Sequence, residues 1–183
     1  MADTGSFDTL RTEIVESQKI RSDLLKWKLL ICAAVGAAGL GFSDKSVTNA
    51  PLALAVIPLA CVYVDLLCRH LSLRIHAIGC FLRSDRHSDE VLRAYETFYQ
   101  NSRLRVSLED LALIGCTVLV SVLVYPLGVL ASAIALWSLD WRATVFLVSS
   151  GLGILLSFLL QIYYVGMRKN YENVAAEFLA RAS

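Results

Sequence analysis

The residues with the clearest chemical potential form one polar stripe that begins at the end of an apolar run. Its successive members, with the small Gly79 among them, lie three or four residues apart, which is the spacing of one face of a continuous helix. An ionisable group close to a membrane is costly and is a functional-site hypothesis by default. The stripe therefore predicts a pore lining or a ligand-binding surface, and its candidate residues are Asp65, Arg69, Ser72, His76, Arg83 and Arg86.

The stripe supports two interpretations. Asp65 and Arg69 stand at positions i and i+4 of a helix, so they can neutralise each other. If the stripe instead faced a shared axis, Arg69, His76 and Arg83 would form stacked cationic rings, which attract anions. The stretch 69–109 contains Arg but no Lys, and Arg suits bidentate recognition of phosphate. A nucleotide or oligonucleotide ligand fits this composition, and pairing of Arg with carboxylates inside the protein explains it equally.

Signatures of catalysis are weak. The three histidines form no H-E-x-x-H motif and no metal-ligand set with carboxylates, and the five cysteines include no C-x-x-C pair. Arg69 and His76 fit the loose R-x(4–6)-H spacing of helical ribonucleases, in which such a pair binds phosphate and moves a proton. The sequence predicts a protein that is not an enzyme, with no cofactor, no metal site and no catalytic residue; a membrane-bound ribonuclease is one alternative.

The elements that position the stripe are membrane helices. Of the 183 residues, 56% are hydrophobic and 18% are charged, against about 25% charged in soluble domains. A bilayer core of about 30 Å needs about 20 helical residues. The sequence predicts an all-α fold with four transmembrane helices and cytoplasmic helical extensions. The predicted spans run over 24–42, 51–67, 111–136 and 143–167.

The distribution of positive charge predicts the orientation. In a four-span topology, all but two of the 17 Lys and Arg residues lie on one side; Lys45 and Arg142 lie on the other. The positive-inside rule then places both termini in the cytoplasm, with the chain in the inner (cytoplasmic) membrane as a multi-pass protein. Lys26 and Lys28, at the start of the first span, are expected to extend toward the lipid headgroups.

Three cytoplasmic segments complete the predicted organisation. Residues 1–23 are predicted to form an amphipathic helix, and 68–108 and 168–183 further helical segments, around transmembrane hairpins at 24–67 and 109–167. Ser107 opens an S-x-x-D capping signature for the third span. The cytoplasmic helices can lie separately on the membrane surface. Their mixed acidic and basic residues favour a small bundle instead.

Small residues recur every four positions along the first span, at Ala33, Ala37 and Gly41. Such a face lets membrane helices approach closely. We expect it to pack within one subunit, and a contact between subunits is the alternative. Gly151 and Gly153 in the fourth span offer a second point of close approach, with the same two interpretations.

The overall plan resembles a known class of membrane protein. Four spans, minimal outer loops, cytoplasmic termini and the stretch Val62-Tyr-Val-Asp-Leu-Leu-Cys-Arg-His70 leading into a cytoplasmic helix resemble bacterial anti-phage membrane effectors encoded beside nucleotidyltransferases, including the Hailong-type channel. This resemblance implies an oligomeric pore that disrupts membrane polarisation when a nucleotide signal changes. It also implies a nucleotidyltransferase partner, and it assigns no role to any residue.

The sequence thus favours a homo-oligomeric ion channel, with four copies as the expected arrangement, gated from the cytoplasm. Four helices pack around side chains, so one subunit cannot enclose a wide pore and conduction needs symmetry. The alternative from another class is a non-conducting membrane scaffold that tethers a cytoplasmic partner through its helices. Both interpretations place the chain in contact with membrane lipid.

Overall fold

The described part of the chain is helical throughout. The computed structural model describes residues 4–40, 50–84, 104–132 and 140–182. Within these ranges there is no β-strand, which confirms the predicted all-α class. The elements are α1 (Thr4–Gly39), a 3-10 helix (Ala50–Val56), α2 (Ile57–Ser84), α3 (Leu104–Ala131) and α4 (Trp141–Ala182).

Three segments are long and apolar enough to cross a membrane: Pro51–Cys80, Leu111–Ala131 and Trp141–Val174. Their outward surfaces are apolar as well. Side chains such as Leu119, Leu130 and Ile162 are mostly exposed, and so much exposed apolar surface indicates contact with lipid rather than water. The structure therefore supports an all-α membrane protein.

Helix α1 is not among the segments that are apolar enough to cross a membrane. The 18 residues that end at Leu40 contain three charged residues, Asp23, Lys26 and Lys28. The predicted first span, 24–42, therefore ends outside the described residues and begins among charges. Only three of the four predicted spans are found in the described part of the chain.

The helical segments predicted at 1–23 and 168–183 continue directly into the apolar helices beside them. Helix α1 has no break between the predicted amphipathic segment 1–23 and the apolar stretch that follows, and α4 continues unbroken to Ala182. Helix α2 runs on past the predicted end of its span to Ser84, as the stripe predicted. Helix α3 begins at Leu104, so Ser107 lies inside the helix and is not its cap.

Helix α2 is central and packs against the other three helices. One hydrophobic core joins α2 and the 3-10 helix to α3 and α4, through Leu54, Cys61, Val124, Val129 and Phe146. A second core joins α2 to α1 and α3 and consists of Leu24, Leu25, Val64, Cys68 and Leu113.

Small polar residues line the helix contacts on the inside of the bundle. Ser121 and Ser157 donate hydrogen bonds to the carbonyl oxygens of Thr117 and Gly153 in their own helices, at 2.7 and 2.8 Å. Such bonds satisfy a buried hydroxyl without a water molecule. A Cβ on Gly153 would lie 2.5 Å from Ser121 Oγ and 2.7 Å from Pro58 Cβ. Gly153 is thus the point where α4 crosses both α3 and α2.

We predict that Gly153→Ala destabilises the bundle by about 1–3 kcal/mol, because an added methyl group overpacks a contact between buried side chains. Unfolding of the purified protein by SDS in mixed micelles measures the change. Gly151→Ala is the matched control on the same helix, since a Cβ there meets nothing within 4 Å. Equal effects of the two substitutions would contradict the packing described for α4.

Candidate functional site

A buried charge network joins α1, α2 and α3. Lys28 Nζ on α1 donates hydrogen bonds to Asp65 Oδ1 and Thr117 Oγ1, both at 2.6 Å, and to the carbonyl oxygen of Leu113 at 3.3 Å. The Thr117 hydroxyl in turn donates to Asp65 Oδ2. All three ammonium protons thus have acceptors, and both carboxylate oxygens accept a hydrogen bond.

The network lies inside the apolar part of the molecule. Lys28 and Asp65 are each 3% exposed, and Thr117 is fully buried. Helix α3 rises about 9 Å between Leu111, where its candidate span begins, and Thr117, at 1.5 Å per residue. A charge at that depth is costly unless it is paired and hydrogen-bonded. The reciprocal bonds between Lys28, Asp65 and Thr117 meet that condition.

The long side chain of Lys28 is what connects α1 to α3. Between these two helices lies a cleft of about 680 Å³, lined on the α1 side by polar residues that include Gln18, Arg21 and Ser22. Lys28 lines the same cleft and donates across it to Leu113 and Thr117. Lys28 therefore connects α1 to α3 across this cleft.

Arg69 follows Asp65 by one helical turn and is also buried, with 4% of its surface exposed. Its guanidinium lies over the ring of Tyr164 on α4, 4.8 Å from the ring centroid. Within the described part of the chain, Nη1 and Nη2 have no hydrogen-bond acceptor. Arg69 lines a second cleft of about 600 Å³ between α2 and α4.

The structure corrects the expected pairing within the stripe. Asp65 forms its salt bridge with Lys28, at 2.6 Å, and not with Arg69. The prediction that Lys28 extends toward the headgroups is also wrong, because its ammonium group is enclosed by this pairing. Lys26 is exposed and pairs with Asp23 at 2.9 Å, and the hydrogen bond from Lys26 lowers the pKa of the Asp23 carboxyl.

The remaining members of the stripe have separate surroundings. Ser72 donates to the carbonyl oxygen of Cys68 at 2.9 Å, a bond within the helix. His76 Nε2 lies 3.7 Å from a Glu172 carboxylate oxygen on α4. Asp65, Arg69 and His76 therefore face neighbouring helices of their own chain, which differs from a stripe that faces a shared axis. Of Arg83, only the helical backbone is described, and Arg86 lies outside the described residues.

The continuations of the helices contact one another. Arg74 on α2 pairs with Glu13 on α1 at 2.7 Å. His76 on α2 and Glu172 on α4 bring a third helix to the same end of the molecule. These contacts favour the predicted small bundle over helices that lie separately on the membrane surface. The predicted helix that follows Ser88 lies outside the described residues.

The small-residue face of α1 does not pack within the subunit as expected. Ala33 and Ala37 are exposed, and Gly41 lies outside the described residues. The close approach is made by Gly39 instead, where a Cβ would lie 2.6 Å from Leu54 of the 3-10 helix. Ala33 and Ala37 consequently remain on the outside of the described bundle.

Comparison with known proteins adds no assignment to this geometry. No family model matches the sequence, and neither the curated proteins nor the solved structures compared with it include a match.

Sequence reasoning identified Asp65 and Arg69 but missed Lys28 and Thr117 as their neighbours in space. The available signal was a Lys at the inner end of one apolar run and an Asp at the inner end of the next. Two such runs joined as an antiparallel hairpin bring their inner ends together. Thr117 gave no signal, because a Thr inside a membrane helix commonly bonds only to its own helix.

We predict that Lys28→Met and Asp65→Asn each destabilise the protein by about 3–5 kcal/mol, because either change leaves one buried charge without its counter-ion. The double variant should recover most of that loss, since both charges are then absent. SDS unfolding of the single and double variants gives the coupling free energy directly.

Asp23→Asn is the matched control, because Asp23 also pairs with a Lys of α1 but does so at an exposed position. Its effect should be small, as for exposed ion pairs generally. Additive losses in the double variant would show that Lys28 and Asp65 do not interact as described.

Proposed function

We propose that the chain is the subunit of a homo-oligomeric ion channel in the inner membrane, gated from the cytoplasmic side, with α1 as its fourth membrane span. The observation that carries the proposal is the buried Lys28–Asp65 pair, which joins α1 to α2 and from which Lys28 also donates across the cleft to Thr117 of α3. Buried ionisable groups inside membrane helices are rare and mark ion pathways and gates.

The pair also accounts for a charged residue inside α1, which would otherwise make α1 unsuitable as a membrane span. Lys28 is the charge that lies deepest in α1, and Asp65 neutralises it. Along the bundle, Gly39 contacts Leu54, the thiols of Cys32 and Cys61 are 3.3 Å apart, and Lys28 reaches Asp65. Helix α1 therefore runs beside the segment 54–65, which belongs to a candidate span.

The proposal includes an oligomer because the described part of one bundle has a packed interior. Phe146, Val129 and Thr117 are fully buried in its interior, so conduction needs an axis between copies. The exposed Ala33 and Ala37 permit close approach of a second subunit. We take a tetramer as the arrangement to test by native mass, and a monomer would contradict this part of the proposal.

In this proposal the pair acts as the closing contact of the gate. Loss of the Lys28–Asp65 bond leaves two unpaired charges that draw in water. Helix α1, which carries the exposed Ala33 and Ala37 of the proposed contact between subunits, then moves away from α3, and the axis between copies opens. The continuations of α1, α2 and α4 give a cytoplasmic signal a route to the pair through contacts such as Glu13–Arg74. A nucleotide or oligonucleotide from a neighbouring nucleotidyltransferase, acting in anti-phage defence, is the signal that the resemblance implies.

A second candidate is a non-conducting scaffold that tethers a cytoplasmic partner. The observation that favours it is helix length. Helix α4 has 42 residues and is therefore about 63 Å long, roughly twice the thickness of a bilayer core. A scaffold would be a monomer or dimer in detergent with a stable partner on pull-down, whereas a channel would be a ring of three or more copies.

We predict that Asp65→Asn raises ion flux at least tenfold over the unmodified protein in liposomes that contain only this chain, because Lys28 loses its counter-ion. Lys28→Met combined with Asp65→Asn should return flux to the unmodified level. Efflux of a trapped fluorescent ion indicator measures both, after the reconstituted amount of protein has been matched.

Asp23→Asn controls for the substitution itself and should leave flux unchanged, since its partner Lys26 is exposed. Flux at the level of protein-free liposomes in every variant would reject the channel. Flux that exceeds that level but does not change in Asp65→Asn would contradict the role of the pair in closure. The same result would still be consistent with a channel.

A further inference from the structure

One groove between α2 and α4 has a polar end and an apolar end. The polar end is the cleft of about 600 Å³ that Arg69, His70 and Arg74 line together with Tyr163, Tyr164 and Tyr171. The apolar end is a neighbouring cleft of about 390 Å³, lined by aliphatic and tyrosine side chains such as Leu59, Val62, Leu156 and Leu159. The two ends share Leu66, Leu160 and Tyr163, so they form one continuous surface.

Arg69 is the feature of this groove that calls for a ligand. The side chain is 96% buried, because only 4% of its surface is exposed. Neither of its terminal nitrogens has a hydrogen-bond acceptor in the described part of the chain. A buried guanidinium without an acceptor is costly, and stacking on Tyr164 offsets only part of that cost. A phosphate in the cleft would supply the missing acceptors, which Arg binds in bidentate fashion.

The charges around Arg69 favour an anion. Asp65, one turn away, is already paired with Lys28. Arg74 at the rim pairs with Glu13 of α1, and His70 is exposed. No acidic residue is among the described side chains that line the cleft. The polar end therefore combines Arg69, a buried cation that forms no salt bridge within the described part of the chain, with the exposed side chains of His70 and Arg74.

The dimensions of the groove fit a lipid and not a soluble anion alone. From Leu59 to Arg69, helix α2 rises about 15 Å at 1.5 Å per residue. That length is half of a hydrocarbon core of about 30 Å, the depth that one acyl chain occupies. The tyrosines at the polar end suit the headgroup region, where amphipathic rings concentrate.

We propose that this groove binds one anionic phospholipid from the leaflet next to Arg69. Its phosphate accepts hydrogen bonds from Arg69, and one acyl chain lies along the apolar end between α2 and α4. Basic pockets between membrane helices bind anionic headgroups in this manner. Lipid binding at this groove does not depend on ion conduction, so the two proposals are tested independently.

The test compares two lipids with identical acyl chains, dioleoyl phosphatidylglycerol and dioleoyl phosphatidylcholine, on the delipidated full-length protein. Native mass spectrometry with titrated lipid gives the affinities. Both lipids carry a phosphate, but the choline cation of phosphatidylcholine neutralises it and would lie beside the basic side chains of the cleft. The unmodified protein should therefore bind phosphatidylglycerol at least tenfold more tightly than phosphatidylcholine. Arg69→Met should abolish that preference, and Arg69→Lys should retain part of it. Lys169→Met, which removes an exposed cation from α4 outside the groove, should leave the preference unchanged.

Two further arms address the apolar end and the source of the phosphate. Leu159→Trp fills the apolar cleft without a change of charge and should lower the affinity for both lipids at least fivefold. This variant also tests the proposal if Arg69→Met does not fold. Inorganic phosphate and glycerophosphoglycerol, which lack acyl chains, should not compete at equal concentration. A preference kept within twofold in Arg69→Met, affinities unchanged in Leu159→Trp, or displacement of lipid by either soluble anion would overturn the proposal.

Discussion

A charged lysine and a carboxylate are tolerated inside an apolar bundle only when their mutual attraction and hydrogen bonds compensate for the hydration that both have lost. Lys28 and Asp65 meet this condition, because Thr117 and the Leu113 carbonyl complete the hydrogen bonds of the ammonium group. The network fixes where α1 lies along the bundle, because the donor and its acceptors come from three different helices. It also explains how α1 can pack beside α2 although it carries a buried lysine.

A related rule holds at other helix contacts, where buried hydroxyl groups bond to the backbone while the outward surface of the bundle is apolar. Serines such as Ser121 and Ser157 bond to their own helices at the contacts between helices, and Gly153 lets α4 approach α3 and α2. Exposed leucine and isoleucine side chains form the outward surface, which is suited to contact with lipid. In a bilayer, apolar burial does not drive helices together, so close packing and satisfied polar groups must do so. Arg69 departs from this rule, since its terminal nitrogens have no acceptor within the described chain.

The sequence carried enough information for the fold class and for the length of α2, because apolar runs and three- or four-residue spacing are local properties. It also identified Asp65 and Arg69, since charge at the end of an apolar run is visible without a structure. It could not identify the partner of Asp65. Arg69 at i+4 was the nearest local choice, whereas Lys28 lies 37 positions away, and only the packing of the helices places it closer. The exposure of Ala33 and Ala37 was likewise hidden, because small residues suit contacts within and between subunits equally.

The central claim is that the network of Lys28, Asp65 and Thr117 holds α1 against α2 and α3. Electron–electron distance measurement between spin labels at Leu30 on α1 and Leu119 on α3 tests it most directly, since both positions are exposed. The labelled chain would carry replacements of its five cysteines and would be diluted with unlabelled protein, so that distances within one subunit dominate. The account predicts one narrow distance distribution in the otherwise unmodified protein and a longer, broader one after Asp65→Asn. An identical distribution in both proteins would contradict it.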